Sequence, residues 1–240
     1  MKVSLVLVSK DEREYVRPFF HTLKLQTRKP EQIILVDSST DGTFQIAEQF
    51  VDKSFWTPPA PVGYCRQVGF ENSTGDIIIF TDLDALLNPF WIENLVKMFE
   101  NPEVNVVRGT VRYREIKDKI PKKFTTIHHC NTAYRRKVLE EFPFDEECNH
   151  DDIDMNERVG RKYKIYGCPE AIVLHIGSFA KTSAKEKARR YAEADIYLLK
   201  KYKTLFMFFR PFANALYSMI IERRIKYNFY YIWFYTRGLI

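Results

Sequence analysis

Two carboxylates one residue apart, Asp82 and Asp84, stand directly after the apolar run Ile77–Phe80. Paired oxygens at the end of a buried strand can share a divalent cation with a phosphate. Mg²⁺ and Mn²⁺ take oxygen ligands from one or two carboxylates and complete their shell on the substrate. The same pair also suits an Asx turn leading to the helix that Asn88-Pro89 opens. A second acidic cluster holds Asp151, Asp152 and Asp154, with Glu146 and Glu147 shortly before it. Asp152 is the candidate general base, a group that takes the proton from a hydroxyl nucleophile. An isolated aspartate, with a pKa of about 3.9, is a poor base at neutral pH, and flanking carboxylates raise that value. Acidic residues also stabilise a helix N-terminus, and both roles can hold together. His128 and His129 are adjacent, so on a strand they point to opposite faces and read as lining or packing rather than as a metal pair.

These groups need a frame, and the first half of the chain supplies one. Val3–Ser9, Ile33–Val36 and Ile77–Phe80 are buried-strand runs. Between and after them, helices are predicted over Tyr15–Leu25, from Asp41-Gly42-Thr43 to about Val51, up to Val68–Asn72, and from Asn88-Pro89 to about Glu100. Strands alternating with helices predict an α/β fold, a doubly wound domain with a mostly parallel central sheet. Ligands of such sheets bind at the carboxyl ends of the strands, where Asp37, Asp82 and Asp84 fall. The second half is less regular. Strands are expected at Val104–Tyr113, Thr125–Tyr134 and Ala171–His175, with a loop carrying Lys117, Lys119, Lys122 and Lys123. A helix follows the acidic cluster to about Lys162. Another, Ser183–Tyr202, carries an apolar stripe of Ala188, Tyr191, Ala192, Leu198, Leu199 and Tyr202 broken by Asp195.

Composition sets bounds. At 240 residues with 45% hydrophobic and 28% charged content, the chain is long enough for a large α/β domain plus an appendage. Its four cysteines are spread without a C-x-x-C pair, which suits free thiols in a reducing, cytoplasmic compartment. The run Val3–Val8 is too short for the core of a secretory signal. Charge is uneven: residues 181–240 hold 13 Lys and Arg against 4 Asp and Glu, whereas the whole chain has a net charge of +6.

The motifs together resemble those of family-2 glycosyltransferases, which have the GT-A fold. Ile33–Val36 with Asp37-Ser38-Ser39-Thr40-Asp41-Gly42-Thr43 is similar to the family's VD-x-S-T-D-G-T segment, and Val3–Glu12 and Gln26-Thr27 are similar to the stretches around it. Cys65-Arg66-Gln67-Val68-Gly69 stands where the family has A-R-N-x-G, and Gly75-Asp76 precedes the strand into D-x-D. Asp151–Arg158 resembles E-D-x-D-L-x-x-R, and Cys168–His175 resembles P-x-A-x-V-x-H. The order is kept over about residues 3–176. Two departures are Ser38-Ser39, one residue shorter than the usual Asp-Gly-Ser, and Asp151 in place of Glu.

The resemblance implies an inverting transferase moving a sugar from a UDP- or GDP-sugar with Mn²⁺ or Mg²⁺. Ser9, Asp37, Arg66 and Asp82 would bind the nucleotide, and Asp84 and His175 the metal. Asp152 would be the base, with Asp151, Asp154 and Arg158 on the acceptor side. The catalytic domain is expected over residues 1–180, with 1–100 as donor half and 101–180 as acceptor-side half. Residues 181–240 form a basic, aromatic helical extension.

Thr204–Ile221 is apolar apart from Arg210 and Asn214, and Pro211 breaks it. With Arg223, Arg224 and Lys226 after it, the segment suits a peripheral site on the inner face of a membrane, beside a lipid-linked or glycan acceptor. Packing on the domain or in a dimer is the alternative. A sugar nucleotidyltransferase would need a Gly-rich first loop, and no glycine precedes Gly42. A nucleotide-sugar-binding protein without turnover is the alternative, against which Asp82, Asp84 and Asp152 speak without excluding it, and a nucleic-acid binder would leave the ordered carboxylates unexplained.

Overall fold

The computed structural model describes residues 1–113, 126–177, 183–221 and 225–239, and side chains outside 217–226. The Lys117–Lys123 loop, Thr125, Arg223 and Arg224, and the side chain of Lys226, lie outside the described residues. The chain divides into two compact units, residues 1–147 with 151–177, and residues 148–150 with 178–240.

The first unit is built on an eight-stranded sheet of order β3-β2-β1-β4-β7-β6-β8-β5. Its strands are β1 (Val3–Ser9), β2 (Gln32–Asp37), β3 (Lys53–Trp56), β4 (Ile77–Asp82), β5 (Ala85–Leu87), β6 (Val106–Tyr113), β7 (Thr132–Arg135) and β8 (Ile165–His175). β3, β2, β1 and β4 run parallel, as does the β6–β8 pair, while β7 and β5 are antiparallel to their neighbours. The helices are α1 (Arg13–Lys24), α2 (Thr43–Ala47), α3 (Val62–Glu71), α4 (Trp91–Met98), α5 (Arg136–Glu141) and α6 (Asp151–Val159).

Alternation along the strands decides which face each helix covers. Val3, Leu5 and Leu7 of β1 and Ile77 and Ile79 of β4 join Val16, Phe19 and Leu23 of α1 and Trp91, Ile92 and Leu95 of α4. Val6, Ile78 and Phe80 point the other way, to Cys65 and Phe70 of α3, Val138 and Leu139 of α5, and Met155 and Val159 of α6. All four cysteines are buried and free.

Four elements differ from the sequence expectation. The strand expected at Thr125–Tyr134 is, where described, a 3-10 turn over His129–Asn131 followed by β7. Asn131 enforces the turn: its Nδ2 donates to the carbonyls of Thr110 and Ala171, and its Oδ1 accepts from Trp91 Nε1. β8 starts at Ile165 rather than Ala171, because a register shift beside Gly109 and Thr110 absorbs Pro169. The short strands β3 and β5 have too little apolar pattern to be read from the chain.

The second unit holds α7 (Ala184–Tyr202), α8 (Leu205–Ile221) and α9 (Ile225–Arg237). Ser183 caps α7, its side chain accepting from the Glu186 N–H at 3.1 Å. Ala188, Ala192 and Ile196 pack with Ala215, Tyr231 and Tyr235. Asp195, which breaks the apolar stripe in the sequence, is the buried clasp of this unit. It accepts from His150 Nδ1 at 2.8 Å, from Arg210 and from the Tyr231 hydroxyl. Burial pushes its carboxyl up, but the His150 bond and the Arg210 charge more than offset that and hold it below the ordinary value. Among the described residues no helix is long and apolar enough to cross a membrane.

Candidate active site

Strand register gathers the acidic residues on one edge. Ser9 pairs with Asp37 across β1 and β2, and Val8 pairs with Asp82 across β1 and β4. Asp37 is fully buried and its carboxylate is occupied: it accepts from Ser9 Oγ at 2.5 Å, Ser39 Oγ at 2.6 Å and the Ser39 N–H at 2.9 Å. Its visible work is therefore to shape the loop after β2. Asp41 then caps α2 by accepting from the Thr43 N–H at 3.0 Å, with Gly42 at φ +90° making the turn.

Arg66 of α3 is buried between two carboxylates. Its Nε donates to Asp151 at 2.6 Å and its Nη2 to Asp82 at 3.3 Å, while its buried Nη1 has no hydrogen-bond partner among the described residues. The third donor is thus kept at the strand edge beside Asp82, where an anion or a carbonyl would satisfy it. Burial works against the Arg66 charge, but Asp151 and Asp82 outweigh it and hold the proton more tightly than usual. His129 Nδ1 lies 2.5 Å from the same Asp151 oxygen, and His129 Nε2 lies 2.8 Å from the Tyr134 hydroxyl. The adjacent histidines open the 3-10 turn rather than sit on a strand, so alternation between strand faces does not apply to them. His129 sits against Phe80 and Phe144, while His128 Nε2 lies 3.1 Å from the Tyr113 hydroxyl.

Asp84 and His175 also meet. β5 pairs with β8 so that Ala85 faces His175, and the Ile176 N–H donates to the Asp84 carbonyl at 2.8 Å. This brings His175 Nε2 within 3.3 Å of Asp84 Oδ2. Gly177 is the residue that sequence reading missed. A Cβ built there would fall 1.9 Å from Asp84 Oδ2, so the carboxylate occupies space that only glycine leaves open. The signal was the spacing His175-Ile176-Gly177, legible only once the strand pairing is known. Tyr113, facing His175 in the β6–β8 register with rings 5.3 Å apart, was missed for the same reason. Among the described residues no group of three His, Cys, Asp or Glu side chains is assembled to hold a metal. One carboxylate and one imidazole fit a Mn²⁺- or Mg²⁺-type ion whose remaining ligands are substrate phosphates and water.

The acidic cluster is less repulsive than its sequence suggests. Asp154 is fully buried and takes both Nε and Nη2 of Arg158, at 2.8 and 2.6 Å. Asp151 is neutralised by Arg66 and His129, so both neighbours of Asp152 are paired within the protein, and the flanking-carboxylate argument for its basicity loses its force. Asp152 is left half-exposed, its Oδ1 accepting from the Ile153 N–H at 2.9 Å. Its charge opposes the effect of burial on both His128 and Arg108, whose pKa values burial lowers.

Asp151 carries a stability prediction. Burial pushes its carboxyl up, but Arg66 and His129 more than reverse this and hold it well below the ordinary aspartate range. A depressed folded-state pKa stabilises the fold above the unfolded value, and the contribution is lost as the pH falls through the folded value. Asp151→Asn therefore destabilises by about 3–5 kcal/mol at neutral pH, because it leaves Arg66 buried without its principal partner. In urea unfolding, the gap between wild type and variant should close as the pH drops below the ordinary carboxylate range. A gap that is absent at pH 7 would show that Asp151 adds nothing to the fold.

Comparison with known proteins follows the same residues. The family described as glycosyl transferase family 2 matches residues 4–139, more than half of the chain. A glucosyl-dolichyl phosphate glucuronosyltransferase of Haloferax volcanii is 33% identical over 121 residues, 46% of this chain and 38% of that protein. The O-antigen chain rhamnosyltransferase WbaN of Salmonella anatum is 26% identical over 211 residues, 75% of this chain and 66% of that protein. The chain thus spans between 38% and 66% of the length of these relatives. The structure of the mannosyltransferase PcManGT from Pyrobaculum calidifontis, in complex with GDP-Man and Mn²⁺, matches with a TM-score of 0.67 at 18% identity. That match covers 99% of this chain and 74% of the other, and it shows a shared fold.

Proposed function

The chain belongs to glycosyl transferase family 2, and on that premise we propose that it is an inverting, metal-assisted glycosyltransferase. It moves a sugar from a UDP- or GDP-sugar to the hydroxyl of a lipid-linked or glycan acceptor. The observation that carries the reading is the meeting of Arg66 of α3 and Asp151 at the start of α6 with Asp82 at the end of β4, while Asp84, just after β4, pairs with His175 at the end of β8.

In this reading the loop held by Ser9 and Asp37 receives the base, and Asp82 the ribose. Arg66 offers Nη1 to the uracil-type carbonyl or to a phosphate. Asp84 and His175 would hold the divalent cation, which when bound neutralises charge on the leaving diphosphate. Asp152 takes the proton from the acceptor hydroxyl as that oxygen bonds to the anomeric carbon. The bond from that carbon to the diphosphate oxygen breaks, and attack from the opposite face inverts the centre. The Asp154–Arg158 pair, within α6, stands on the acceptor side in this reading. The glucosyl-dolichyl phosphate of one relative's name supports an acceptor carried on a lipid, and the O-antigen chain of the other's supports a glycan. The protein would then work in the cytoplasm, peripherally at the inner face of the membrane. A protein that binds nucleotide sugars without turnover is the second reading, and donor binding with no transfer by the wild type would favour it.

Thermal shift with UDP and GDP, each with and without Mn²⁺, tests the donor site. Ligand at a hundredfold excess over Kd should raise Tm by about 5–10 °C. The rise should need Mn²⁺ and favour one base. No shift with either nucleotide in Mn²⁺ would sink the donor reading.

A further inference from the structure

α8 is apolar on two opposite faces, and only one of them is covered. Met207, Pro211 and Ala215 are buried. On the other side Leu205, Phe206, Phe209 and Leu216 are 76%, 61%, 57% and 59% exposed, and Ala213 is exposed with them. These five fall within about 100° of one another at 100° per residue, so they form a continuous stripe centred opposite the buried one. An uncovered helix face is ordinarily polar, and this one has no charge on it.

What covers it is indicated by charge. From Ile196 to Ile221 the sequence holds no Asp or Glu. Lys200, Lys201 and Lys203, all exposed, stand immediately before the stripe. Arg210, on the edge of α8, is withdrawn into the clasp with Asp195 and so does not interrupt the stripe. α9 adds exposed Phe229 and Trp233, with the Arg237 guanidinium 4.3 Å over the Trp233 ring. Apolar side chains beside a lysine collar, without acidic neighbours, fit the interface of an anionic bilayer, where aromatics lie at headgroup depth and cations meet lipid phosphate.

We propose that the α8 stripe of Leu205, Phe206, Phe209, Ala213 and Leu216 inserts into the surface of an anionic lipid bilayer. Its purpose rests on the transferase reading with a lipid-linked acceptor, whereas its geometry stands on α8 alone. The helix lies in the interface rather than crossing it, and the lysines set the preference for anionic headgroups.

The test is sedimentation of the full chain with vesicles of phosphatidylcholine, with and without phosphatidylglycerol, in the absence of donor and acceptor. Wild type should bind the anionic vesicles and be partly released by salt. Phe206→Glu with Phe209→Glu should lower the partition coefficient by about a hundredfold or more. Neutralising Lys200, Lys201 and Lys203 to Gln should cost about fivefold per residue at low salt and little at high salt. Melting temperature and UDP or GDP binding, measured on each variant, report folding and the donor site separately. Loss of nucleotide binding in wild type with vesicle binding kept would therefore sink the transferase reading alone. Wild type that ignores phosphatidylglycerol vesicles, or a Phe206/Phe209 double variant that binds them as wild type does, overturns the proposal. So does a wild-type dimer, measured without lipid, that the same double substitution converts to monomer.

Discussion

Asp152→Asn lowers turnover by about 10²–10⁴-fold while donor affinity and melting temperature stay at their wild-type values. The structure supports that separation. Asp151 and Asp154 are buried in ion pairs, whereas among the described residues the Asp152 side chain makes the short-range bond to the Ile153 N–H. Asn156 Nδ2 goes to the backbone carbonyl of Asp152 rather than to its carboxylate. An amide of the same shape keeps the Ile153 bond and loses only the capacity to take a proton. Steady-state kinetics with nucleotide-diphosphate titrations on the same protein decides the matter. Should donor affinity fall together with turnover, Asp152 belongs to the donor site. Should turnover persist, the base is another group.

Legibility in the sequence followed the range of the interactions. β1, β2 and β4 were readable because alternating or continuous apolar residues report burial locally, and α1 because its buried Val16, Phe19, Phe20 and Leu23 recur at helical spacing. Asp82 and Asp84 could be placed at a strand end for the same reason. The partnership of Arg66 with Asp151 spans 85 positions, and no local pattern announces it. The sequence therefore offered Asp151 as a like charge raising the basicity of Asp152, where the fold makes it the buried counter-ion of Arg66. The 3-10 turn at His129–Asn131 escaped notice similarly, since it depends on Asn131 reaching carbonyls of two other strands. Asp195 read as a blemish on an amphipathic helix. Only the approach of His150, Arg210 and Tyr231 turns it into the organising group of the second unit.

Gly177 gives the last prediction, and with Asp84 the largest loss. Asp84→Ala removes the carboxylate of the Asp84–His175 pair and should abolish transfer and weaken nucleotide-diphosphate binding in Mn²⁺ while the protein still melts cooperatively. Gly177→Ala asks the same question without touching either candidate ligand. The added methyl would stand 1.9 Å from Asp84 Oδ2 and 2.9 Å from His175 Cε1, distances at which something must move. The backbone is the less yielding party, because β5 and β8 are paired through Ala85 and His175 and the Ile176 N–H is bound to the Asp84 carbonyl. The carboxylate is therefore the group displaced. A misplaced electrostatic group at a reacting centre typically costs about 10²–10³-fold in rate. Gly177→Ala should lose activity on that scale, require more Mn²⁺ for half-maximal rate, and melt close to wild type, since Gly177 follows the end of β8 and lies outside the apolar core. Full activity of Asp84→Ala in excess chelator would end the metal assignment. Wild-type Mn²⁺ dependence in Gly177→Ala would show that the Asp84 carboxylate need not stand where the glycine lets it.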